Sequence, residues 1–373
     1  MAGGRFRGAR PWAALARGMG AAVLVAVLAL SAAPAAAQTY AAYVMDARTG
    51  ETLYERNADQ RLHPASLTKM MTLYLAIEAV KEGRLGLDQR VRISANAARQ
   101  PPSRMGLRAG QRVSVRDLMR AAAVRSANDA ATALAEATAG SVEAWSRLAT
   151  HRAQTLGMRH TTFRNPHGLT QSGHLSTARD MAILGRRLFF DHPEYYNLFS
   201  RTRTTAMGRT INATNRRLLE NYRGADGIKT GYTRAAGFNL VASAQRGDRH
   251  VIASVFGGRS SADRNDKIVR LLDLGFDRAP RFAKTIPPVA PPVATVAEAP
   301  APPERPGAPR TLLAQVGDAL VPAAHADTPS QSRSRMAPRT AALPAPRPGP
   351  AARASAKGGE TVAAVLPPRR PTR

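Results

Sequence analysis

Residues 64–83 read PASLTKMMTLYLAIEAVKEG, and the interpretation of the whole chain starts from this stretch. Apolar side chains occupy nearly every turn between Leu67 and Val80, so the pattern predicts a helix with almost no polar face. A helix that is apolar nearly all round is buried in a protein core. Gly83 stands where a glycine commonly ends a helix. The stretch therefore predicts a buried helix that begins at Ser66.

Strand patterns lie on both sides of this helix in the chain. The predicted strands are 40–45, 52–55, 228–233, 238–244 and 250–256. The segment 84–215 between them is predicted to be mostly helical, and 267–275 predicts a closing helix. The helices predicted inside that segment are 115–124, 130–139, 143–156 and 178–190. This order predicts an α/β (α+β) fold, with one antiparallel sheet of about five strands flanked by helices and a mostly helical subdomain.

The N-terminus has the layout of a targeting segment. A basic region with Arg5, Arg7 and Arg10 precedes an apolar run of ten residues at 21–30, and small residues follow at 35–37. This pattern is typical of a cleaved secretory signal peptide. A transmembrane anchor is the alternative, but it needs about 20 apolar residues. Residues 1–37 are therefore predicted to be a signal peptide, and the protein is predicted to be exported.

The C-terminal part has a different composition from the rest of the chain. Of 27 prolines, 20 lie from Pro280 onward, and no aromatic residue follows Phe282. A basic segment without aromatic residues buries too little apolar surface to offset its ordering entropy. Residues 279–373 are therefore predicted to be a disordered Pro/Ala-rich basic tail with one weak helical signal at 311–320. The ordered domain is predicted over 38–278.

The formal net charge of the chain is +28, and the chain has no cysteine. The lack of cysteine excludes disulfides, a thiol nucleophile and a Cys-ligated metal. No histidine pair has the HExxH spacing of a zinc site, so no metal and no cofactor are expected. For an exported protein, an anionic envelope surface or a carboxylate-rich substrate is a better partner for this charge than nucleic acid.

The chemical signal in the buried helix is a serine followed by a lysine one turn later. Because Ser66 and Lys69 are three residues apart, they share a helix face. Burial lowers the pKa of a lysine and favours the neutral amine, which can accept the proton of a nearby hydroxyl. The alternative is a helix-capping serine beside an ordinary lysine. Ser66 is thus a candidate nucleophile, and Lys69 is its candidate base.

Two further motifs follow along the chain. Ser126-Ala127-Asn128 lies between predicted helices, where its hydroxyl and amide could relay a proton and bind a peptide group. Lys229-Thr230-Gly231 lies on a predicted strand and could hold a carboxylate, with glycine permitting close approach of a ligand. The alternative for the latter is a surface lysine before a strand glycine. A second Ser-x-Asn string at 94–96 is interpreted as non-functional.

The three motifs in this order resemble the serine-type D-alanyl-D-alanine carboxypeptidases, which are the low-molecular-mass penicillin-binding proteins. The resemblance covers about residues 43–276. Besides the three motifs, the stretches at 45–50, 165–169 and 271–276 also resemble that family. The resemblance implies the β-lactamase/penicillin-binding-protein-like fold and removal of the terminal D-alanine from peptidoglycan pentapeptides in the periplasm or cell envelope.

The resemblance also implies a role for each motif residue. Ser66 would form an acyl-enzyme, with Lys69 as base, and Ser126 would pass the proton to the leaving D-alanine. Asn128 would bind the substrate's peptide group. The remaining expected site residues are Lys229, Thr230 and Gly231 for the terminal carboxylate, the backbone N–H of Tyr232 with that of Ser66 for the oxyanion, and Arg264 as an assisting cation.

Some relatives have histidine where this chain has Tyr232, so substrate specificity is a point of difference. β-Lactams are expected as covalent inhibitors. A β-lactamase on the same fold is disfavoured, because residues 162–168 contain no acid that could activate the deacylating water. A transpeptidase or endopeptidase shares the acyl-enzyme and remains an alternative. A non-catalytic envelope-binding protein is a further alternative, although all motif residues are present.

Overall fold

The central sheet takes strands from both ends of the domain, as the sequence predicts. The computed structural model describes residues 39–289. Its sheet is antiparallel, with the order β2-β1-β9-β8-β7. These five strands are β1 (Ala41–Asp46), β2 (Thr52–Arg56), β7 (Ala225–Thr233), β8 (Gly237–Arg246) and β9 (Arg249–Gly258). β7 is an edge strand of the sheet, so one of its sides is left to face another part of the protein.

The buried helix begins with a tighter turn than the sequence predicts. Ala65–Thr68 form a 3₁₀ turn, and α1 (Lys69–Lys81) continues from it. The helices predicted at 130–139, 143–156, 178–190 and 267–275 are confirmed with bounds shifted by at most six residues, whereas the one predicted at 115–124 is α-helical only to Arg120. The other helices are α2 (Ala95–Ala98), α3 (Val115–Arg120), α4 (Asn128–Ala139), α5 (Val142–Thr155), α6 (Ala178–Asp191), α7 (Pro193–Tyr196), α8 (Arg216–Asn221) and α9 (Ser261–Arg278).

Both faces of the sheet are covered, because successive side chains of a strand point to opposite sides. On β1, Tyr43 and Met45 join a core that includes α1 and α6. Ala42 and Val44 join a second core with α9. Gly275 brings α9 close to the sheet, since a Cβ atom there would lie 2.5 Å from a methyl group of Val251. This sandwich explains why the strands read as continuous apolar runs.

The segment 84–215 is less helical than predicted. It contains two small two-stranded antiparallel sheets, one of β3 (Arg90–Arg92) and β4 (Arg112–Ser114), and one of β5 (Arg203–Ala206) and β6 (Arg209–Asn212). It also contains a five-residue π-helical segment, Ala121–Arg125, where an α-helix was expected to continue. Strands of three or four residues carry too little periodicity to be recognised in sequence.

The first residues of the predicted tail, 280–289, have no regular secondary structure, but they are tied to the domain. The guanidinium group of Arg48 donates to the carbonyl oxygen of Pro280 at 2.7 Å. The backbone carbonyl oxygen of Arg48 accepts from the amide of Ile286 at 2.9 Å. Arg187 donates to the carbonyl oxygen of Val289 at 2.7 Å. The side chains of Arg48 and Arg187 are buried, so these carbonyl groups satisfy cations that water hardly reaches.

Deleting 280–373 is therefore expected to destabilise the domain more than deleting 290–373. Loss of the carbonyl partners of two buried arginines should cost about 2 kcal/mol and lower the Tm by roughly 4–8 °C. Hydrolysis of a soluble peptide at 25 °C should not change. Calorimetry on the two deletion variants makes the comparison, and equal Tm values would show that the contacts of 280–289 add nothing.

The predicted signal peptide, the weak helix at 311–320 and the tail from 290 onward, with its expected contact to anionic envelope components, lie outside the described residues. Within 39–289, no helix has both the length and the apolar character needed to cross a membrane.

Candidate active site

The candidate nucleophile lies in the 3₁₀ turn before α1. Ala65 has a φ of +50°, a left-handed conformation that is uncommon for a residue with a side chain. Ser66 follows and is half-buried, whereas its neighbours Ala65 and Leu67 are fully buried. Such strain persists only where surrounding contacts hold the backbone in place, and it is frequent at functional sites.

Lys69 is fully buried at the first turn of α1, and its Nζ lies 3.0 Å from Ser66 Oγ. The same nitrogen lies 2.7 Å from Asn128 Oδ1 and 2.7 Å from the carbonyl oxygen of His167. Burial lowers the pKa of Lys69 well below its usual value, and the nearby charge of Lys229 lowers it further. A neutral amine is therefore favoured at this position.

The three partners of Lys69 can all be satisfied by a neutral amine. The oxygens of Asn128 and His167 can only accept, so each takes one N–H of the amine. In a neutral amine this leaves the lone pair of Nζ for Ser66 Oγ, 3.0 Å away, and the lone pair can accept the hydroxyl proton. The amide of Asn128 is oriented independently, because its Nδ2 donates to the carbonyl oxygen of Pro101 at 2.9 Å. The arrangement can move a proton from serine to lysine.

The second motif lies at the junction between the π-helical segment and α4. Ser126 has a φ of +61°, which ends the segment and turns the chain so that Asn128 reaches Lys69. Ser126 is buried, and its hydroxyl has no hydrogen-bond partner among residues 39–289. This hydroxyl is therefore available to a ligand. The comparable Ser94 instead accepts from the amide of Ala97 and caps α2.

The third motif lies on β7, beside the nucleophile turn. A Cβ atom on Gly231 would lie 2.9 Å from the carbonyl oxygen of Pro64 and 3.1 Å from the amide nitrogen of Ser66. Only a glycine permits this approach without displacing backbone atoms. The edge of the sheet is thereby held against Ser66. The hydroxyl of Thr230 donates to that of Thr214 at 2.7 Å.

Two buried cations stand at this edge. Lys229 donates to the carbonyl oxygen of Thr230 at 3.0 Å, and burial together with the charge of Arg264 lowers its pKa to about 7. Arg264, on α9, donates from two nitrogens to the side-chain oxygen of Asn265, and burial lowers its pKa to about 10. Incompletely neutralised buried cations are suited to an anionic ligand. Tyr232, the next residue after Gly231, is 56% exposed and packs on Phe238.

A loop at 162–176 lies outside the three motifs but completes the surroundings of Lys69, and its residues 165–169 are part of the family resemblance. Besides the His167 carbonyl group, this loop contributes Gly168, where a Cβ atom would lie 1.8 Å from the carbonyl oxygen of Ala65. His174 accepts from the amide of Arg164 at Nδ1, so its Nε2–H donates to Thr68 Oγ1 at 2.8 Å. The string Asn-Pro-His-Gly at 165–168 signals a turn, but only the fold shows what the turn touches.

Asp129, which follows Asn128, binds the loop at 105–107. Its carboxylate is fully buried and accepts from the amides of Met105, Gly106 and Leu107, at 2.9–3.1 Å. These contacts pin the loop before β4 against the start of α4. Among residues 39–289, no group of three His, Asp or Glu side chains could hold a metal ion.

The sequence model of the D-alanyl-D-alanine carboxypeptidase family matches residues 28–260. The chain is 37% identical over 242 residues to the D-alanyl-D-alanine carboxypeptidase DacF of Bacillus subtilis, covering 64% of this chain and 62% of that protein. The chain thus spans less than two thirds of that relative's length.

Two solved structures are similar in both fold and sequence. Penicillin binding protein 5 from Haemophilus influenzae is 37% identical, with a TM-score of 0.62 over 66% of this chain and 73% of that one. Penicillin-binding protein D2 from Listeria monocytogenes in its ampicillin-bound form is 34% identical, with a TM-score of 0.56 over 63% of this chain and 96% of that one. The predicted fold class is confirmed.

Proposed function

The chain belongs to the D-alanyl-D-alanine carboxypeptidase family, and on this premise we propose that it removes the terminal D-alanine from peptidoglycan pentapeptides through an acyl-enzyme on Ser66. The observation that carries the proposal is the 3.0 Å contact between Ser66 Oγ and a fully buried Lys69 whose other two partners are acceptors. This arrangement supports a neutral amine acting as the general base.

In the proposed reaction, Lys69 takes the proton of Ser66 as Oγ bonds to the carbonyl carbon of the penultimate D-alanine. The oxyanion is stabilised by the backbone N–H groups of Ser66 and Tyr232, and losing one such donor typically costs about 10²–10³ in rate. The C–N bond then breaks as Ser126 delivers its proton to the leaving amine and takes up the proton held by Lys69, which returns Lys69 to its neutral form. Water hydrolyses the resulting ester, which releases the shortened peptide and restores the hydroxyl of Ser66.

The terminal carboxylate of the substrate is proposed to bind at the edge of β7. Lys229 and Arg264 are buried cations there, and the hydroxyl of Thr230, which donates to Thr214 Oγ1 in the structure, would turn its proton to the bound carboxylate. A bound carboxylate favours the charged form of Lys229, because an opposite charge within a few ångströms raises the pKa of a lysine. Binding and protonation of Lys229 should therefore support each other.

β-Lactams are proposed to acylate Ser66 as slowly released inhibitors, and the ampicillin-bound relative supports this. Loop 162–176 contains no Asp or Glu. The group that this loop places against Lys69 Nζ is the carbonyl oxygen of His167 and not a carboxylate. No carboxylate in the loop can therefore activate water for rapid hydrolysis of the penicilloyl ester. The basic, apolar and small-residue pattern of 1–37 supports export to the periplasm or cell envelope.

The decisive experiment combines intact mass after incubation with benzylpenicillin and D-alanine release from a peptide ending in D-Ala-D-Ala. The full chain is expected to carry one penicilloyl group and to release D-alanine, and Ser66→Ala should do neither. Ser94→Ala is the matched control, since this serine caps α2 away from Lys69. An adduct that persists on Ser66→Ala, or full-chain protein that releases no D-alanine, would refute the proposal.

A further inference from the structure

A group of arginines without ion pairs lies on the segments that are bonded to the turn carrying Ser126 and Asn128. Arg104, Arg125 and Arg209, here called the basic rim, are all exposed, and none forms an ion pair within residues 39–289. Arg104 makes one weak bond to a neighbouring carbonyl group, and Arg209 donates to the carbonyl oxygen of Met105 at 3.0 Å. Three cations therefore face solvent without a neutralising group.

The backbone contacts of this loop place the basic rim next to the site. Asn128, which touches Lys69 through its oxygen, donates through its side-chain nitrogen to Pro101 and through its backbone amide to the carbonyl oxygen of Ser103. The hydroxyl of Ser103 donates to the carbonyl oxygen of Arg125 at 3.1 Å. Arg104 is thus the neighbour of Ser103, which is bonded to Asn128, and Arg125 directly precedes Ser126.

Nearby acids are already engaged and do not offset this charge. Asp129 is consumed by three backbone amides. Glu136 accepts from Ser94 and Asn96. The segment from 93 to 108 and the hairpin 203–212 contain no acidic residue. Unopposed cations on one patch repel each other, so an anionic ligand gains more there than at an isolated arginine.

We propose that the basic rim is a subsite for a free carboxylate in the acyl segment of the substrate, upstream of the D-Ala-D-Ala terminus. The inference rests on the proposed function. With the terminal carboxylate at Lys229 and the peptide group at Asn128, the acyl chain leaves the site past Asn128, where the rim begins. The guanidinium fork of arginine suits a carboxylate, and water keeps each contact weak enough for product to leave.

The test compares two peptides ending in D-Ala-D-Ala that differ only in an upstream side chain, a free carboxylate in one and its amide in the other. For the full chain at low salt, kcat/KM for the carboxylate peptide is expected to exceed that for the amide by about tenfold. In the triple variant R104Q/R125Q/R209Q, and at 0.5 M salt, kcat/KM for the carboxylate peptide should fall to the value for the amide peptide. The value for the amide peptide should not change, because it has no charge to bind.

A matched variant distinguishes binding at this subsite from attraction of the carboxylate by the overall positive charge of the protein. Arg90, Arg92 and Arg112 are exposed on the β3–β4 sheet, and R90Q/R92Q/R112Q removes the same charge there. It should keep the tenfold preference. A preference absent from the full chain, or lost equally in both triple variants, would overturn the subsite. Failure of the proposed function gives a different result, namely no D-alanine release from either peptide.

Discussion

Lys69→Gln is expected to slow acylation of Ser66 by about 10²–10⁴-fold, the usual contribution of a general base. Glutamine keeps two N–H donors that can serve Asn128 and the His167 carbonyl group, but its nitrogen has no basic lone pair. The variant therefore tests the chemistry of the amine with little loss of packing. The measurement is the rate of penicilloyl-enzyme formation, followed by mass or by a fluorescent penicillin.

The control for this variant is Lys81→Gln at the other end of α1. Lys81 is exposed and binds the carbonyl oxygen of Asp191 and the carboxylate of Glu194, so removing its charge should leave acylation unchanged. If Lys69→Gln acylates at the rate of the unaltered protein while remaining folded, Lys69 is not the base, and another group must take the proton of Ser66.

The pH dependence of kcat/KM follows from the same lysines. Lys69 acts as a base only when neutral, so acylation should rise as the pH rises through its lowered pKa. Lys229 binds a carboxylate when charged, and its pKa is lowered to about 7, so kcat/KM should fall as the pH rises beyond the pKa of Lys229. Because the charge of Lys229 lowers the pKa of Lys69, Lys229→Gln should move the rising limb to higher pH.

Gly168→Ala is expected to lower the rate of acylation at least 100-fold and the stability by about 3 kcal/mol. The added methyl group would lie 1.8 Å from the carbonyl oxygen of Ala65 and 2.9 Å from Thr68 Oγ1, and the φ of +88° is strained for alanine. Backbone atoms must move to relieve the overlap. The His167 carbonyl oxygen would then leave Lys69, and a displacement of about 1 Å at a catalytic group can cost 10²-fold in rate.

Gly173→Ala in the same loop distinguishes the cost of the backbone strain at a positive φ from the cost of the steric overlap at Gly168. Gly173 also has a positive φ, +73°, but its Cβ atom would meet only the flexible side chain of Arg164, at 3.4 Å. It should lose about 1 kcal/mol and keep its rate of acylation. Thermal unfolding and penicillin acylation of both variants make the comparison. Equal losses in the two variants would mean that contact between Gly168 and the nucleophile turn is unimportant.

Long elements with a strong apolar pattern could be predicted from the sequence, and short or irregular ones could not. The five strands of the sheet and the buried helix were predicted because their burial follows directly from their composition. The β3–β4 and β5–β6 sheets are not predicted, since strands of three or four residues show no clear alternation. The π-helical segment 121–125 was missed because its residues are ordinary helix formers.

The sequence by itself determined the chemistry available in the first turn of the buried helix, because a spacing of three residues puts Ser66 and Lys69 on one side of any helix. It also determined the sheet, because apolar composition requires those strands to be covered on both faces. Only the tertiary structure decided what else surrounds Lys69. The side chain of Asn128 and the carbonyl group of His167 come from segments 59 and 98 residues away. Backbone acceptors and steric gaps such as that at Gly168 arise from packing between distant segments, and no local pattern encodes them.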